Sequence, residues 1–272
     1  MESFLNFFET MPVWQRLAWV VTCLVICWIL EGNYPLFSFS YRKWKHAGVN
    51  FFFLTTTLII NVIFGIATVG IFVWIKQYHI GLTFYIDLPI WLELLTCILI
   101  FELMAQYLIH YLLHRIKWMW KFHMIHHSDT HLDATSGTRH HPGDFVMREI
   151  FALAAVVVTG APTGYYFFYR FCTIFFTYFT HANINFPKWL DKPLSLVFIT
   201  PNMHKFHHHY QRPWTDKNFG NIFSIWDRLF GTFVYGDPKQ IRYGLDVLED
   251  AKDENIGYQL RIPFNKSIKT DY

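Results

Sequence analysis

Long apolar runs set the architecture that this chain can adopt. Residues 51–75 contain no charged residue, and residues 88–109 are nearly as apolar. A helix needs about 20 apolar residues to cross a bilayer, so both runs predict membrane spans. Residues 12–30 form a third candidate, which lacks a strongly basic start and a small-residue cleavage site. It therefore predicts a retained helix rather than a cleaved signal.

A fourth apolar stretch, residues 150–180, is interrupted in its middle. The break is the segment Thr159-Gly160-Ala161-Pro162-Thr163-Gly164, which combines two glycines with a proline. Such a segment ends one helix and allows another to begin. The stretch predicts a hairpin of two helices that enters and leaves the membrane on the same side.

Basic residues predict the orientation of these spans. Lys and Arg are enriched in the cytoplasmic loops of membrane proteins. They follow the first span, the third span and the hairpin, at Arg42, Lys43, Lys45, Arg115, Lys117, Lys121, Lys188 and Lys192. The prediction therefore places these segments in the cytoplasm and the loop 76–87 on the opposite side of the membrane. The membrane itself is expected to be a bacterial inner membrane or the endoplasmic reticulum.

Composition agrees with a membrane protein of one domain. Apolar residues make up 53% of the chain and charged residues 16%, against about 25% charged in ordinary soluble domains. A formal net charge of +3 gives no reason to expect a nucleic-acid partner. Since no extended polar linker divides the sequence, we predict a single domain over residues 1–272.

Histidines are crowded into two segments of this chain. Most of the fifteen lie within residues 110–141 and 204–209. His110 and His114 are four residues apart, so they project from one face of a helix. The pattern His-x-x-His-His then occurs twice, at His123, His126 and His127 and at His204, His207 and His208.

Adjacent imidazoles repel one another when protonated, whereas a metal ion binds them in the neutral form. The clusters therefore predict metal binding. Four ligands saturate a structural zinc ion, so eight histidines predict two ions. Imidazole suits iron, zinc, copper and nickel, and spacing does not choose among these metals.

The complete pattern resembles the fatty acid hydroxylase/sterol desaturase superfamily over about residues 95–235. Besides the histidine motifs, the resemblance rests on Arg139-His-His-Pro142, Thr200-Pro201, Asp216-Lys-Asn-Phe-Gly-Asn221 and Trp226–Phe233. It implies a cytoplasm-facing pair of iron ions on a base of four membrane helices. We therefore expect an all-α fold, a multi-pass membrane helical bundle capped by a cytoplasmic histidine-rich helical metal domain.

The resemblance also assigns candidate ligands residue by residue. Nine histidines match ligand positions of the family: His110, His114, His123, His126, His127, His181, His204, His207 and His208. His141 also matches a family position, either as a ligand or as a residue beside the ligands or the substrate. We expect His131, His140 and His209 outside the site, the first two in solvent, and His46 and His79 in other loops without a chemical role.

Two acidic residues are further candidates. Glu102, Gln106, His110 and His114 are spaced four apart, which predicts a continuous polar stripe on the third span. Glu102 is either a structural hydrogen-bond partner or a group near the ligands or the substrate. Asp227 either packs with its neighbours, which we favour, or orients an imidazole N–H.

These features predict a membrane oxidase, a hydroxylase or desaturase that uses O2 on a lipid such as a sterol, fatty acyl or alkyl lipid. Oxidation of an alkyl C–H bond requires a redox-active metal. We expect two iron ions, which zinc can replace in purified protein, and no catalytic residue is identified beyond this centre. No Gly-x-Gly-x-x-Gly or other cofactor-binding segment is present. Electrons are therefore expected from a separate cytochrome b5-like or ferredoxin-like protein.

Two other classes of protein remain as alternatives. A membrane zinc hydrolase would carry His-Glu-x-x-His, which this sequence lacks. A metal-carrying protein would place histidines inside the spans, whereas these lie at span ends.

Overall fold

The computed structural model describes residues 1–270 and is all-helical within them. Two isolated β-bridges occur in this part of the chain, but no β-strand. The predicted all-α class is therefore confirmed. The α-helices of the described residues are α1 Glu2–Thr10, α2 Val13–Asn33, α3 Lys43–Tyr78, α4 Ile90–Glu102, α5 Ile109–Arg115, α6 Lys117–His127, α7 Pro142–Thr159, α8 Thr163–His181, α9 Lys188–Leu194, α10 Pro201–His207, α11 Ile225–Leu229 and α12 Ile256–Arg261.

Three helical segments of residues 1–270 are long and apolar enough to cross a membrane, as predicted. They are α2, the segment Lys43–Phe84, which contains α3, and the continuous segment Ile90–Arg115, which contains α4 and α5. Large apolar side chains such as Val25, Ile63 and Ile66 are exposed on their outer faces. An exposed apolar surface of this extent requires a partner, and a lipid bilayer provides it.

Exposed tryptophans lie near both ends of α3. Trp44 lies in its first turn and Trp74 in its last turns. The 30 residues between them span about 45 Å of helix, close to the ~40–45 Å thickness of a bilayer with its head groups. Tryptophan is enriched at membrane–water boundaries, so these residues support a membrane position for α3.

The bundle has two distinct ends, which we call the histidine end and the far end. At the histidine end α2 finishes, and its buried Glu31 accepts hydrogen bonds from the backbone N–H groups of Ala134 (2.9 Å) and Asn183 (3.2 Å). The far end contains α1 and the loop 79–89 between α3 and α4.

Helices α7 and α8 form a hairpin whose turn lies at the far end. Gly160 adopts a positive φ of 65°, which a glycine tolerates best, and a Cβ there would lie 2.4 Å from the Ile80 carbonyl oxygen. The Thr83 hydroxyl donates a hydrogen bond to the Gly160 carbonyl (2.8 Å). The hairpin therefore extends from the histidine end to the far end and returns, although α7 and α8 are not among the three candidate spans.

A π-helical turn, Leu103–Leu108, interrupts the segment Ile90–Arg115. Its wider turn changes the register between the residues before and after it. This turn lies inside the stripe predicted from Glu102 to His114, whose spacing assumed a regular α-helix. Glu102 accepts hydrogen bonds from the Tyr169 hydroxyl (2.9 Å) and from the backbone N–H groups of Asn221 (2.8 Å) and Ile222 (2.6 Å).

The chain after α8 packs over the histidine end. Leu245, Ile262 and Ile268 from this part of the chain pack with Trp120 and Met124 of α6 in one apolar cluster. The predicted ligands lie buried in the adjoining space between α5, α6, α8 and α10.

Candidate metal centre

The nine histidines predicted as ligands lie together in two groups at the histidine end. Within each group, one ring nitrogen of every member lies within 4.8 Å of those of all other members. The first group contains His110, His114, His123, His127 and His207, and the second contains His126, His181, His204 and His208. All nine side chains are buried.

Each His-x-x-His-His motif contributes to both groups. In α6, His123 and His127 belong to the first group and His126 to the second. His204 in α10 and His208, which directly follows α10, belong to the second group, and His207 in α10 belongs to the first. The first and last histidines of each motif are four residues apart and share a helical face, whereas the middle histidine, His126 or His207, is rotated away from that face. The two helices thus hold the groups side by side.

The inward nitrogens are arranged as cation ligands rather than as hydrogen-bond partners. His181 Nε2 lies 3.2 Å, 3.1 Å and 3.1 Å from the Nε2 atoms of His126, His204 and His208. A ring nitrogen of a neutral imidazole has one proton or one lone pair, so it cannot satisfy three such neighbours. Nitrogens bound to one ion at about 2.1 Å each lie roughly 3.0–3.4 Å apart. The observed spacing fits a shared metal ion.

The first group shows the same arrangement. His123 Nε2 lies 3.0 Å from His110 Nε2 and 3.2 Å from His127 Nε2. The Nε2 atoms of His114 and His207 are buried without a hydrogen-bond partner among the described residues. Buried nitrogens are normally hydrogen-bonded, and a bound metal ion would satisfy these.

Hydrogen bonds at the outer nitrogens fix the tautomers of several rings. The Nδ1–H groups of His110, His207 and His181 donate to the carbonyls of Phe219 (2.8 Å), Lys217 (2.8 Å) and Thr177 (2.7 Å). Because a carbonyl only accepts, Nδ1 carries the proton, and the Nε2 lone pair points inward. This is the usual arrangement of a histidine that binds metal.

Two carboxylates serve the same purpose in the first group. The Asp144 carboxylate accepts from His123 Nδ1 (3.0 Å), and the Asp216 carboxylate accepts from His114 Nδ1 (3.3 Å). Asp144 also accepts from His140 Nδ1 (3.0 Å). Asp144 was not predicted as a functional residue from the sequence. Its position three residues after His141 gave no signal, because its partner His123 lies on another helix.

Burial keeps the histidines of the two His-x-x-His-His motifs neutral. Loss of hydration lowers the pKa of His123 to about 3. The same cause, followed by repulsion from neighbouring imidazoles, holds the pKa values of the others well below the usual range: His126, His127, His204, His207 and His208. Since a metal binds the neutral imidazole, these side chains are ready to bind metal at neutral pH.

The remaining histidines lie outside the two groups. His209 accepts a hydrogen bond from the Gln211 N–H (3.1 Å), and His141 Nδ1 accepts from the Gly143 N–H (3.0 Å) at the start of α7. His131 is partly buried and stacks on Tyr41.

Two expectations about the remaining histidines were wrong. His140 is not a solvated residue, because its ring stacks on His126 at 4.5 Å between centroids. His46 lies in α3 rather than in a loop. It is fully buried, with Nε2 2.8 Å from Asp129 and Nδ1 3.3 Å from Asp133.

Asp227 acts on the site through the backbone. It accepts hydrogen bonds from the N–H groups of Phe219 (2.8 Å) and Gly220 (2.9 Å) and from the Thr232 hydroxyl (2.7 Å). The Phe219 carbonyl in turn accepts from His110. Asp227 therefore holds the loop that orients one imidazole, and does not contact that imidazole itself.

Comparison with known proteins gives matches centred on the same residues. A family model described as fatty acid hydroxylase matches residues 94–232. An ornithine lipid hydroxylase from Rhizobium tropici is 32% identical over 127 residues, 47% of this chain and 38% of that protein. An alkylglycerol monooxygenase from Caenorhabditis elegans is 29% identical over 173 residues, 61% of this chain and 31% of that protein.

The alkylglycerol monooxygenase from Homo sapiens is 28% identical over 143 residues, 52% of this chain and 30% of that protein. The matched regions are thus only 30–38% of the lengths of these relatives. No solved structure matches the chain.

Proposed function

Because the chain belongs to the fatty acid hydroxylase family, we propose that it is a membrane-bound oxidase that uses O2 and two iron ions to oxidise a lipid C–H bond. The observation that carries the proposal is the pair of buried histidine groups at the end of a membrane-type bundle. Relatives named as a lipid hydroxylase and as monooxygenases favour hydroxylation of an acyl or alkyl chain.

The nine histidines would hold the ions, five in the first group and four in the second. When bound, the iron ions supply the electron transfer that O2 activation requires. The protein contributes neutral nitrogen donors that point inward, and hydrogen bonds from the outer nitrogens fix their direction. The packed histidine end excludes water, which protects a reactive centre from side reactions.

We also assign the histidine end to the cytoplasmic side. Basic residues concentrate at this end, whereas the far-end loop contains few. A cytoplasmic site would accept electrons from a soluble or membrane-anchored carrier, such as a cytochrome b5-like or ferredoxin-like protein. Cysteine introduced at exposed Tyr85 should react with an impermeant reagent in intact cells, and cysteine at Lys45 should not. The reverse result would contradict this orientation.

Isotope labelling tests the reaction class. Iron-loaded protein in lipid nanodiscs, supplied with a reduced electron carrier, is given labelled O2 in one arm and labelled water in the other. We expect label from O2 in a lipid hydroxyl group, and none in the His207→Ala variant. Label from water alone would identify a hydrolase. Bound metal without any lipid product in either arm would identify a metal-carrying protein.

A further inference from the structure

Two cavities lie side by side between α2, α3 and α8 on the membrane-facing side. The outer cavity has a volume of about 540 Å³ and the inner one about 180 Å³. Five residues line both: Val20, Leu58, Asn61, Arg170 and Ile174. Because they share these walls, the cavities are adjacent and together follow the length of the bundle.

The inner cavity ends at the second histidine group. Its lining includes Gly137 and His140. A Cβ on Gly137 would lie 3.2 Å from His181 Nδ1, and the His140 ring stacks on His126. A molecule in this cavity would therefore be separated from two proposed metal ligands by one layer of residues at most.

The outer cavity continues toward the far end. Its walls include Val73 in the last turns of α3 and Thr163 at the start of α8, and they are mainly apolar side chains such as Leu17, Val69 and Phe167. Both helices that border it, α2 and α3, expose apolar faces to the membrane. A long hydrocarbon chain matches such a lining.

A polar cluster lies where the two cavities meet. Arg170 donates from Nη1 to the Glu149 carboxylate (2.7 Å) and from Nη2 to the Asn61 amide oxygen (3.1 Å). Asn61 is at the middle of the 36-residue helix α3 and therefore near the membrane centre. Ionisable groups at this depth are costly and usually mark a functional site that faces a cavity.

We propose that the two cavities are one substrate channel, and that Arg170 and Asn61 bind an uncharged oxygen of a long-chain lipid within it. Resting on the proposed function, this inference names the substrate class: a chain with a hydroxyl, ether or ester oxygen. By binding this oxygen, Arg170 and Asn61 would fix the position of the chain in the channel and thereby determine which carbon lies beside the histidine groups.

Charge balance selects the uncharged oxygen. Glu149 already neutralises Arg170, so an anionic group would gain little from the cluster and would be repelled by the carboxylate. The bonds to Glu149 and Asn61 use two of the five N–H donors of the guanidinium. Further donors can bind a neutral oxygen.

Spacing sets the distance between this oxygen and the oxidised carbon. Arg170 and His181 are eleven residues apart on α8, about 16 Å along the helix. This is roughly half of the ~30 Å hydrocarbon core, which corresponds to one leaflet. A single acyl or alkyl chain can therefore extend from the polar cluster to the metal centre.

Two glycines of α3 provide a matched test of the channel. Gly65 lines the outer cavity and Gly70 lines neither cavity, and an added Cβ meets no atom within 4 Å at either position. Metal-free protein in nanodiscs is labelled with an octadecyl probe that carries a photoreactive diazirine. We expect labelled peptides from the cavity walls in wild type and Gly70→Trp, and at least a tenfold loss in Gly65→Trp.

Equal labelling of both glycine variants would overturn the channel. The photolabelling experiment needs neither metal nor turnover, so it tests the channel even if the proposed oxidation is not observed. Conversely, oxidation that proceeds equally in Gly65→Trp and wild type, without a change in chain-length preference, would support the proposed function and reject the channel.

The polar cluster is tested by removing both charges together. The double variant Arg170→Met/Glu149→Met avoids an unpaired buried charge, and such replacements are often tolerated. In metal-free protein, a mid-chain ether probe should compete better than an alkane probe of equal length, by roughly twofold to tenfold for one hydrogen bond. This preference should vanish in the double variant.

Product positions provide a second readout. Wild type should oxidise one carbon of an oxygen-bearing chain, whereas the double variant should give products at several neighbouring carbons with its metal content unchanged. Arg170→Lys should restore part of the positional selectivity. An unchanged ether preference or an unchanged product position in the double variant would exclude oxygen binding by this cluster.

Discussion

Asp144 is the residue through which the orientation of the proposed metal ligands can be tested most directly. Its fully buried carboxylate accepts three hydrogen bonds of 3.0 Å, from His123 Nδ1, His140 Nδ1 and Arg148 Nε. In Asp144→Asn, one uncharged accepting oxygen replaces the two oxygens of the carboxylate, so the side chain cannot accept from the two histidines and from Arg148 together. His123 either loses this acceptor or keeps a weaker bond to a neutral oxygen. The bond that holds its proton on Nδ1 and its lone pair toward the proposed metal is therefore weakened.

The expected loss of metal affinity follows from similar sites. Removal of the group that orients a metal-bound histidine typically costs 10- to 100-fold in affinity, which is about 1.4–2.8 kcal/mol. The free energy of unfolding should fall as well. Arg148 is 11% exposed and loses its charged partner, and breaking a buried ion pair costs about 3–5 kcal/mol.

Asp129 offers a matched control for the loss of stability. It is buried and pairs with His46 (2.8 Å) and Arg139 (3.4 Å), but His46 belongs to neither histidine group. Asp129→Asn should therefore lower the thermal unfolding temperature and change the metal affinity of the folded protein much less than Asp144→Asn does, because no proposed ligand donates a hydrogen bond to Asp129. Affinity is measured by competition with a chelator on folded protein. Equal affinities in Asp144→Asn and Asp129→Asn would refute the orienting role of Asp144.

Three further predictions concern the histidine end. His207→Ala should lower metal affinity by more than about 100-fold, since it removes a proposed ligand rather than a group that orients one. His209→Ala should change the free energy of unfolding by no more than about 0.5 kcal/mol. Loss of metal in His209→Ala but not in His207→Ala would contradict the proposed ligands. Burial holds the folded-state pKa of His123 at about 3, below the unfolded value of 6.5. The free energy of unfolding of the metal-free protein should therefore fall by up to about 1.4 kcal/mol per pH unit from this residue as the pH falls below 6.5. An unfolding temperature that stays constant from pH 7 to 5 would contradict this. In Gly137→Ala, the new Cβ would lie 2.9 Å from Thr177 Cγ2 and 3.2 Å from His181 Nδ1. If the second group holds one of two metal ions as proposed, the metal content should fall toward one ion per chain. An unchanged metal content would contradict this prediction.

The sequence could predict the spans and eight of the nine candidate ligands from local regularities, whereas His181 was assigned only by the family resemblance. Apolar length alone indicates a membrane helix. The spacing of i, i+3 and i+4 indicates a shared helical face. The division of His126 from His127 between two groups could not be predicted, because it depends on how α6 and α10 pack together. The π-helical turn at Leu103–Leu108 was missed for a similar reason, since no residue type in it demands a wider turn.

His46 shows a second limit of local patterns. Its neighbours in sequence suggested a basic loop, and nothing near it indicates a buried pair. Its partner Asp129 lies 83 residues away, and the pair exists only because α3 packs against the segment that follows α6. A histidine bound to metal and one in a structural ion pair differ only in these distant contacts.

The two histidine groups differ in a way that bears on their roles. Both carboxylates that accept from outer ring nitrogens, Asp144 and Asp216, serve the first group. The Nδ1 atoms of His126 and His204 in the second group, and that of His127 in the first, are buried without a hydrogen-bond partner among the described residues. The inner cavity approaches the second group through Gly137 and His140. It approaches the first group more indirectly, because His140 donates to Asp144, which in turn accepts from His123. His140 therefore lies between the cavity and both groups, and a lipid chain in the cavity would meet this side chain before any of the proposed ligands.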